Sequence, residues 1–246
     1  MKPLRIAVIA GTSEATELIA AMPEAYLVTA FTATAYGKEI LQGQHCQVHV
    51  GRLDADGFRQ ALSEMDAVAD ASHPFAQEVT ATVRQVCREL QLPYFRLGRQ
   101  PVSYAYDKIV RVSSKETAAA YLAETSGNVL LTTGVNTLLY YEAAVPGLAP
   151  RCWARILDTP DSRKAAAGAA SHLIYAMPPF SQADTFALLQ QYHIAVLVTK
   201  DSGKRGGVAE KIAAAEQMQI PVVLIGAPEE KTASIPEILQ AIERSF

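Results

Sequence analysis

Cysteine is scarce in this 246-residue chain, which holds only Cys46, Cys87 and Cys152. Their number is odd, they lie far apart, and no Cys-x-x-Cys pair or Cys/His cluster occurs. A disulfide framework is thereby excluded, and nothing suggests a zinc or redox centre. His172 and His193 fall at a strand start and a helix end with no partner spacing for a metal, so no metal site is expected. No apolar run approaches the ~18 residues of a membrane span. The apolar stretch after Lys2-Pro3 is too short for a secretion signal, which places the chain in the cytoplasm and away from membranes. Net charge is −3 with no dense Lys/Arg stripe, which argues against a nucleic-acid partner, since phosphate neutralisation governs that binding. Also missing are the three-glycine dinucleotide fingerprint and the Gly-Lys-Ser/Thr of nucleotide triphosphatases. Tyr104 and Lys108 have the Tyr-x-x-x-Lys spacing of short-chain dehydrogenases. That pair needs a shared helix face, whereas Tyr104 follows Pro101 and Lys108 leads into a strand.

What remains is a globular composition, half hydrophobic and 19 % charged, with short apolar runs alternating with helical stretches. Strands are predicted at 4–10, 26–31, 46–50, 67–69 and 94–97, with helices at 13–21, 56–63 and 78–90 between them. The rhythm loosens near residue 100 and resumes. Strands are then predicted at 109–112, 128–133, 151–157, 172–176, 195–199 and 222–225, and helices at 115–124, 186–191, 209–218 and 236–244. This βαβ alternation implies an α/β fold of two Rossmann-like parallel-sheet halves with a cleft between them. Ser126-Gly127 is the best linker, dividing the chain into a cofactor-binding half, 1–126, and a half completing the substrate cleft, 127–246.

Three constellations can carry chemistry. Asp70-Ala-Ser-His-Pro-Phe-Ala76 lies between a strand buried on both faces and a helix, at the sheet edge where open α/β folds bind ligands. Ser72, His73 and Pro74 are its candidates, and the plainer alternative is an ordinary turn in which Ser72 or His73 caps the helix and Pro74 opens its first turn. Gly11, Thr12, Ser13 and Glu14 follow the first strand. Gly11 allows close backbone approach, Thr12 or Ser13 can cap the helix, and the free N–H groups there suit a phosphate, or else this too is only a capped tight turn. Lys200-Asp-Ser-Gly-Lys-Arg-Gly-Gly207 follows a late strand as a polar, mostly basic loop, suited to an anionic ligand or simply solvated. Arg96 and Arg99 follow the fifth strand and Arg155 lies inside the strand 151–157, and their planar guanidinium forks suit carboxylates.

Together these motifs resemble the precorrin-6A reductases: Gly11–Ala15 after an opening strand, Asp70–Ala76, and Lys200–Gly207, in that order. Thr34–Lys38, Thr132-Thr133-Gly134, Pro178-Pro179-Phe180 and Glu210-Lys211 add to the match, which covers nearly the whole chain. Ala10 departs from it where a second glycine is common, as does Gly226-Ala227-Pro228 where Arg-Pro is common. The resemblance implies reduction of one ring double bond of precorrin-6A, or its cobalt form, by hydride transfer from NADH or NADPH during cobalamin biosynthesis. It implies cofactor contacts at Gly11, Thr12, Ser13, Glu14, Ser72, His73, Pro74 and Gly134. It further implies contacts of the tetrapyrrole substrate with Arg96, Arg99, Arg155, Lys200, Ser202, Gly203, Lys204, Arg205, Gly206 and Gly207. Candidate proton donors are His73, Lys200 and Asp201. Neither an acid nor an arginine follows the second strand, and the missing arginine favours NADH. The competing expectation is a non-catalytic dinucleotide-binding sensor or regulator.

Overall fold

A computed structural model describes residues 2–98, 102–203 and 207–246. The chain forms two compact units, residues 1–99 with 229–246, and residues 100–228. Among the described residues no helix is long and apolar enough to cross a membrane.

The first unit runs β1 (Arg5–Ile9), α1 (Ser13–Ala21), β2 (Leu27–Thr32), α2 (Ala35–Ile40), β3 (Gln47–Val50), α3 (Ala55–Leu62), β4 (Ala67–Asp70), α4 (Gln77–Glu89) and β5 (Tyr94–Arg96). Its parallel sheet has the order β3-β2-β1-β4-β5. β1 is apolar from Ile6 to Ile9 because both its faces are covered there. Ile6 and Val8 pack with Leu18 and Ile19 of α1, while Ala7 and Ile9 pack with Phe58 of α3 and Val83 of α4. From β1 the chain moves through α1 towards one sheet edge, and from β4 through α4 towards the other. The order therefore reverses between β1 and β4, and such a switch point opens a crevice at the strands' carboxyl ends.

The second unit runs β6 (Ile109–Val112), α5 (Lys115–Ala123), β7 (Asn128–Leu131), α6 (Val135–Ala144), a 3-10 turn at 149–151, β8 (Cys152–Leu157) and α7 (Pro160–Ala165). It continues through β9 (His172–Ala176), α8 (Gln182–Gln191), β10 (Ile194–Lys200), α9 (Val208–Gln217) and β11 (Val222–Ile225). Its parallel sheet has the order β6-β11-β10-β7-β8-β9, with a switch point between β7 and β10. Leu130, Leu197 and Leu224 form an apolar face under Leu189 of α8 and Ile212 of α9.

The expected division at residue 126 is corrected. Gly127 only turns the chain from α5 into β7, and β6, from before that turn, pairs with β11. At the other end, α10 (Ile235–Ser245) returns to the first unit, where Ile238 and Ile242 are fully buried in its core. An isolated parallel bridge, Leu97 to Ala233, brings the chain back alongside β5. Pro74 is also displaced from its expected place. The Ala76 N–H donates to the His73 carbonyl at 2.8 Å, and α4 begins at Gln77, so Pro74 sits in a turn before the helix.

Candidate active site

At the switch point of the first unit, the turns after β1 and β4 are bonded to each other. The Ala71 N–H donates to the Ile9 carbonyl at 2.9 Å. Thr12 Oγ1 donates to the Ala71 carbonyl at 2.8 Å and accepts from the Ala15 N–H at 3.2 Å, so one hydroxyl caps α1 and joins both turns. Gly11 is exposed at φ +121°, where a side chain is strained, and a Cβ there would meet nothing within 4 Å. Above the N-terminus of α1 the backbone is thus bare, as close approach of a dinucleotide requires. Glu14, in the first turn of α1, accepts from Ser13 Oγ at 3.3 Å. A carboxylate at that position accepts hydroxyls rather than donating to a phosphate.

The turn after β4 is held from beneath. Asp70 is fully buried and accepts from the Ser72 N–H at 3.0 Å, Thr80 Oγ1 at 2.9 Å, Tyr94 OH at 2.8 Å and Arg96 Nη1 at 3.1 Å. Burial, and then Asp70, push the Tyr94 phenol above its ordinary pKa. Arg96 is adjacent to Asp70 in the β4–β5 register. Its Nη1 also donates to the Ser72 carbonyl at 2.9 Å, and its Nε to Glu230 Oε1 at 2.8 Å. Glu230 accepts from Arg84 Nη2 at 2.9 Å as well. Arg96 is accordingly corrected from a substrate contact to a clamp inside the fold, because its fork is taken up by the turn it supports. His73 is half-buried beside Phe75, and its Nδ1 accepts from the Phe75 N–H at 3.2 Å. That bond assigns the neutral ring's proton to Nε2. α4 has no side-chain cap, so neither Ser72 nor His73 caps it.

In the second unit, the Thr132 N–H and Oγ1 donate to the Val198 carbonyl at 2.9 and 3.0 Å, fastening the start of the loop after β7 to β10. Gly134 stands there, at φ +85° before α6, on the loop after β7. The Asp201 N–H donates to the Ile225 carbonyl at 2.7 Å and the Ser202 N–H to the Lys200 carbonyl at 2.9 Å. Gly203 and Gly207 have φ +74° and +64°. Asp201 lies 3.5 Å from Arg111 Nη1. Burial, reinforced by Lys115, lowers the pKa of Lys200. Burial, with Asp201 next, pushes the Tyr104 phenol up to about 12. Arg155 is buried on β8, against Thr185 and the Phe180 ring. The expected contacts at Arg99, Lys204, Arg205 and Gly206 lie outside the described residues.

Sequence reasoning missed Thr80, Tyr94 and Glu230, which hold the Ser72 turn, and Thr185 beside Arg155; Lys211 was noted within the Glu210-Lys211 match but given no role. Thr80 sits one helical turn beyond the Asp70 motif, a spacing that could have flagged it. Glu230 carries no local signal, since its partners lie in the first hundred residues. Among the described residues, no group of three or more His, Cys, Asp or Glu could hold a metal ion.

The family model of the precorrin-6x reductases, CbiJ/CobK, matches residues 5–243. A cobalt-precorrin-6A reductase of Priestia megaterium is 34 % identical over 231 residues, covering 91 % of both chains. A precorrin-6A reductase of Mycobacterium tuberculosis is 37 % identical over 175 residues, 70 % of this chain and 68 % of its own. Among solved structures, a CobK precorrin-6A reductase superposes with a TM-score of 0.75 at 23 % identity, covering 98 % of this chain and 97 % of its own, which speaks to the fold. The chain belongs to the precorrin-6x reductase CbiJ/CobK family.

Proposed function

We infer that this chain reduces one ring double bond of precorrin-6A, or of its cobalt form, to the 6B level in cobalamin biosynthesis. The observation that carries this is the family match over residues 5–243, with relatives named for that reaction. A nicotinamide dinucleotide supplies the hydride, and its bare-backbone cradle fits the switch point of the first unit. There Gly11 and Thr12 give N–H groups to a phosphate, Ser13 and Glu14 meet hydroxyls, and Ser72, His73 and Pro74 form the opposite lip. Hydride transfer demands position above all, so the work of Thr12, Asp70 and Arg96 is to keep the two turns in register.

The tetrapyrrole's carboxylates are assigned to the second unit, to Arg155, Lys200 and the Ser202-Gly203 and Gly207 backbone. Gly134, across the switch point from that loop, shares this surface. The proton that completes the reduction comes from His73, Lys200 or Asp201. Burial makes the Lys200 ammonium a readier donor, His73 gives a proton only as imidazolium, and Asp201 faces Arg111.

The turn after β2 favours NADH. Thr34 caps α2 by accepting from the Gly37 N–H at 3.1 Å, and Thr32–Gly37 holds no arginine for a 2′-phosphate. The cobalt-containing macrocycle is the favoured substrate. A non-catalytic sensor would leave the Lys200 loop and a second switch point without a role. The test is oxidation of NADH and of NADPH by purified protein with precorrin-6A and with its cobalt form. Turnover with a higher kcat/KM for NADH supports the assignment. A large preference for NADPH refutes the cofactor choice, and no turnover in any of the four combinations refutes the function.

A further inference from the structure

The face of the second sheet that lies under α8 and α9 is apolar until its last row, and there it becomes cationic. Trp153 and Leu197 belong to the apolar cluster. Two residues further along the same strands, on the same face, stand Arg155 and Thr199. Both lie one position beyond the paired rows Leu131–Ala154 and Leu131–Val198. Lys211, from the first turn of α9, reaches down so that its Nζ is 3.4 Å from Thr199 Oγ1. Thr185, from α8, is fully buried and accepts from Arg155 Nη1 at 3.3 Å.

Arg155, Thr185, Thr199 and Lys211 are all buried. Arg155 Nη2 is shut off from water and has no hydrogen-bond partner. Its guanidinium is covered by the half-exposed Phe180 ring, 4.0 Å away, and the carboxylate that acts on it is Asp184 of α8, against a larger effect of burial. A buried guanidinium with an idle donor is costly unless an acceptor or a negative charge joins it. Buried polar atoms are nearly always satisfied, so an idle guanidinium donor among hydroxyls marks a missing acceptor.

We propose that Arg155, Lys211, Thr185 and Thr199 form a buried oxyanion seat in the second unit, closed by Phe180 and filled by one carboxylate or phosphate group when ligand binds. Arg155 presents its fork to two oxygens, Lys211 supplies a point charge, and the threonine hydroxyls complete the shell. Burial lowers Arg155 to about 10 and Lys211 to about 8, with Arg155 itself the next cause for the lysine, and Glu210 acting the other way. An oxyanion between them would reverse both shifts. The seat deepens the assignment of substrate carboxylates to this unit, and rests on it for one of two possible sources. A carboxylate arm of the macrocycle and a phosphate of the dinucleotide share the chemistry, and experiment separates them.

Wild type, Arg155→Gln, Arg155→Lys and Lys211→Met are compared in thermal melts with inorganic phosphate against chloride at equal ionic strength. Each is then assayed for the KM of the macrocycle and the Kd of the dinucleotide. The seat predicts that phosphate raises the melting temperature of wild type more than that of Arg155→Gln or Lys211→Met. A KM for the macrocycle raised at least tenfold, with dinucleotide Kd unchanged, identifies a carboxylate arm. The converse identifies a dinucleotide phosphate. Should Arg155→Gln not fold, Arg155→Lys and Lys211→Met decide. Should wild type turn over no macrocycle, the reductase assignment fails and the phosphate melts alone decide the seat. Folded variants that match wild type in every arm measured overturn it.

Discussion

Thr12 joins the turns after β1 and β4, proposed above as the dinucleotide cradle, through one oxygen, which makes Thr12→Val a sharp perturbation. Valine matches the shape and removes only the hydroxyl. It forfeits the cap on the Ala15 N–H, a loss of about 1 kcal/mol in typical helices. It also leaves the Ala71 carbonyl, on a residue only 2 % exposed, without that partner, at about 1–3 kcal/mol for an unsatisfied buried group. Together the loss is about 2–4 kcal/mol, or roughly 4–16 °C in melting temperature for a protein of this size. Thr12→Ser keeps the oxygen and should recover most of it. Dinucleotide affinity, read by fluorescence titration, should fall several-fold in the valine variant and stay near wild type in the serine variant. Valine and wild-type proteins with equal melting temperatures and equal affinities would refute the claim that this hydroxyl couples the turns.

Gly11→Val places a β-branched residue at φ +121°, a strain of about 1–3 kcal/mol. Its side chain enters the open space above α1, so the dinucleotide Kd should rise at least tenfold while the fold survives, as checked by titration and circular dichroism. Arg96→Met strands Asp70 and Glu230, and breaking such a buried pair costs about 3–5 kcal/mol. Urea unfolding should register that loss, and an unchanged midpoint would show the clamp to be idle. Lys211 is depressed from 10.5 to about 8, so its protonated form is disfavoured in the fold. The penalty is full below pH 8 and fades as pH rises towards 10.5, by about 1.4 kcal/mol per pKa unit. Cys87 and Cys152, pushed up to about 12 and about 11 by burial, act oppositely above pH 9. The stability of wild type minus that of Lys211→Met should therefore increase from pH 8 to 10, and a flat difference contradicts the shift.

Much of the architecture was legible because parallel strands buried on both faces are written as continuous apolar runs. The strand 172–176, the strand 222–225 and the helix 13–21 have the bounds read from sequence. α2, α6 and α7 escaped notice. α2 is interrupted by Gly37, α7 is short, and α6 carries Leu138, Leu139, Tyr140 and Tyr141 in a row with no clear stripe. The division of the chain was misread for a different reason. Pairing of β6 with β11, and the return of α10 to the first core, are long-range choices that no local pattern records. The turns after β1 and β4 were found as strand ends, yet their adjacency follows from strand order. Arg96 shows the same limit. An arginine after a strand is visible in sequence, but not that Asp70 stands beside it on the neighbouring strand.

The central claim is that this chain catalyses reduction and does not merely sense a dinucleotide. It is tested most directly by incubating the protein with cobalt-precorrin-6A and nicotinamide dinucleotide carrying deuterium at the transferable position, followed by mass spectrometry of the macrocycle. The account predicts a product gaining two hydrogens, one of them deuterium from the dinucleotide and the other from solvent. A macrocycle recovered unchanged while the dinucleotide is bound, or one reduced without deuterium from either face of the nicotinamide, would contradict it.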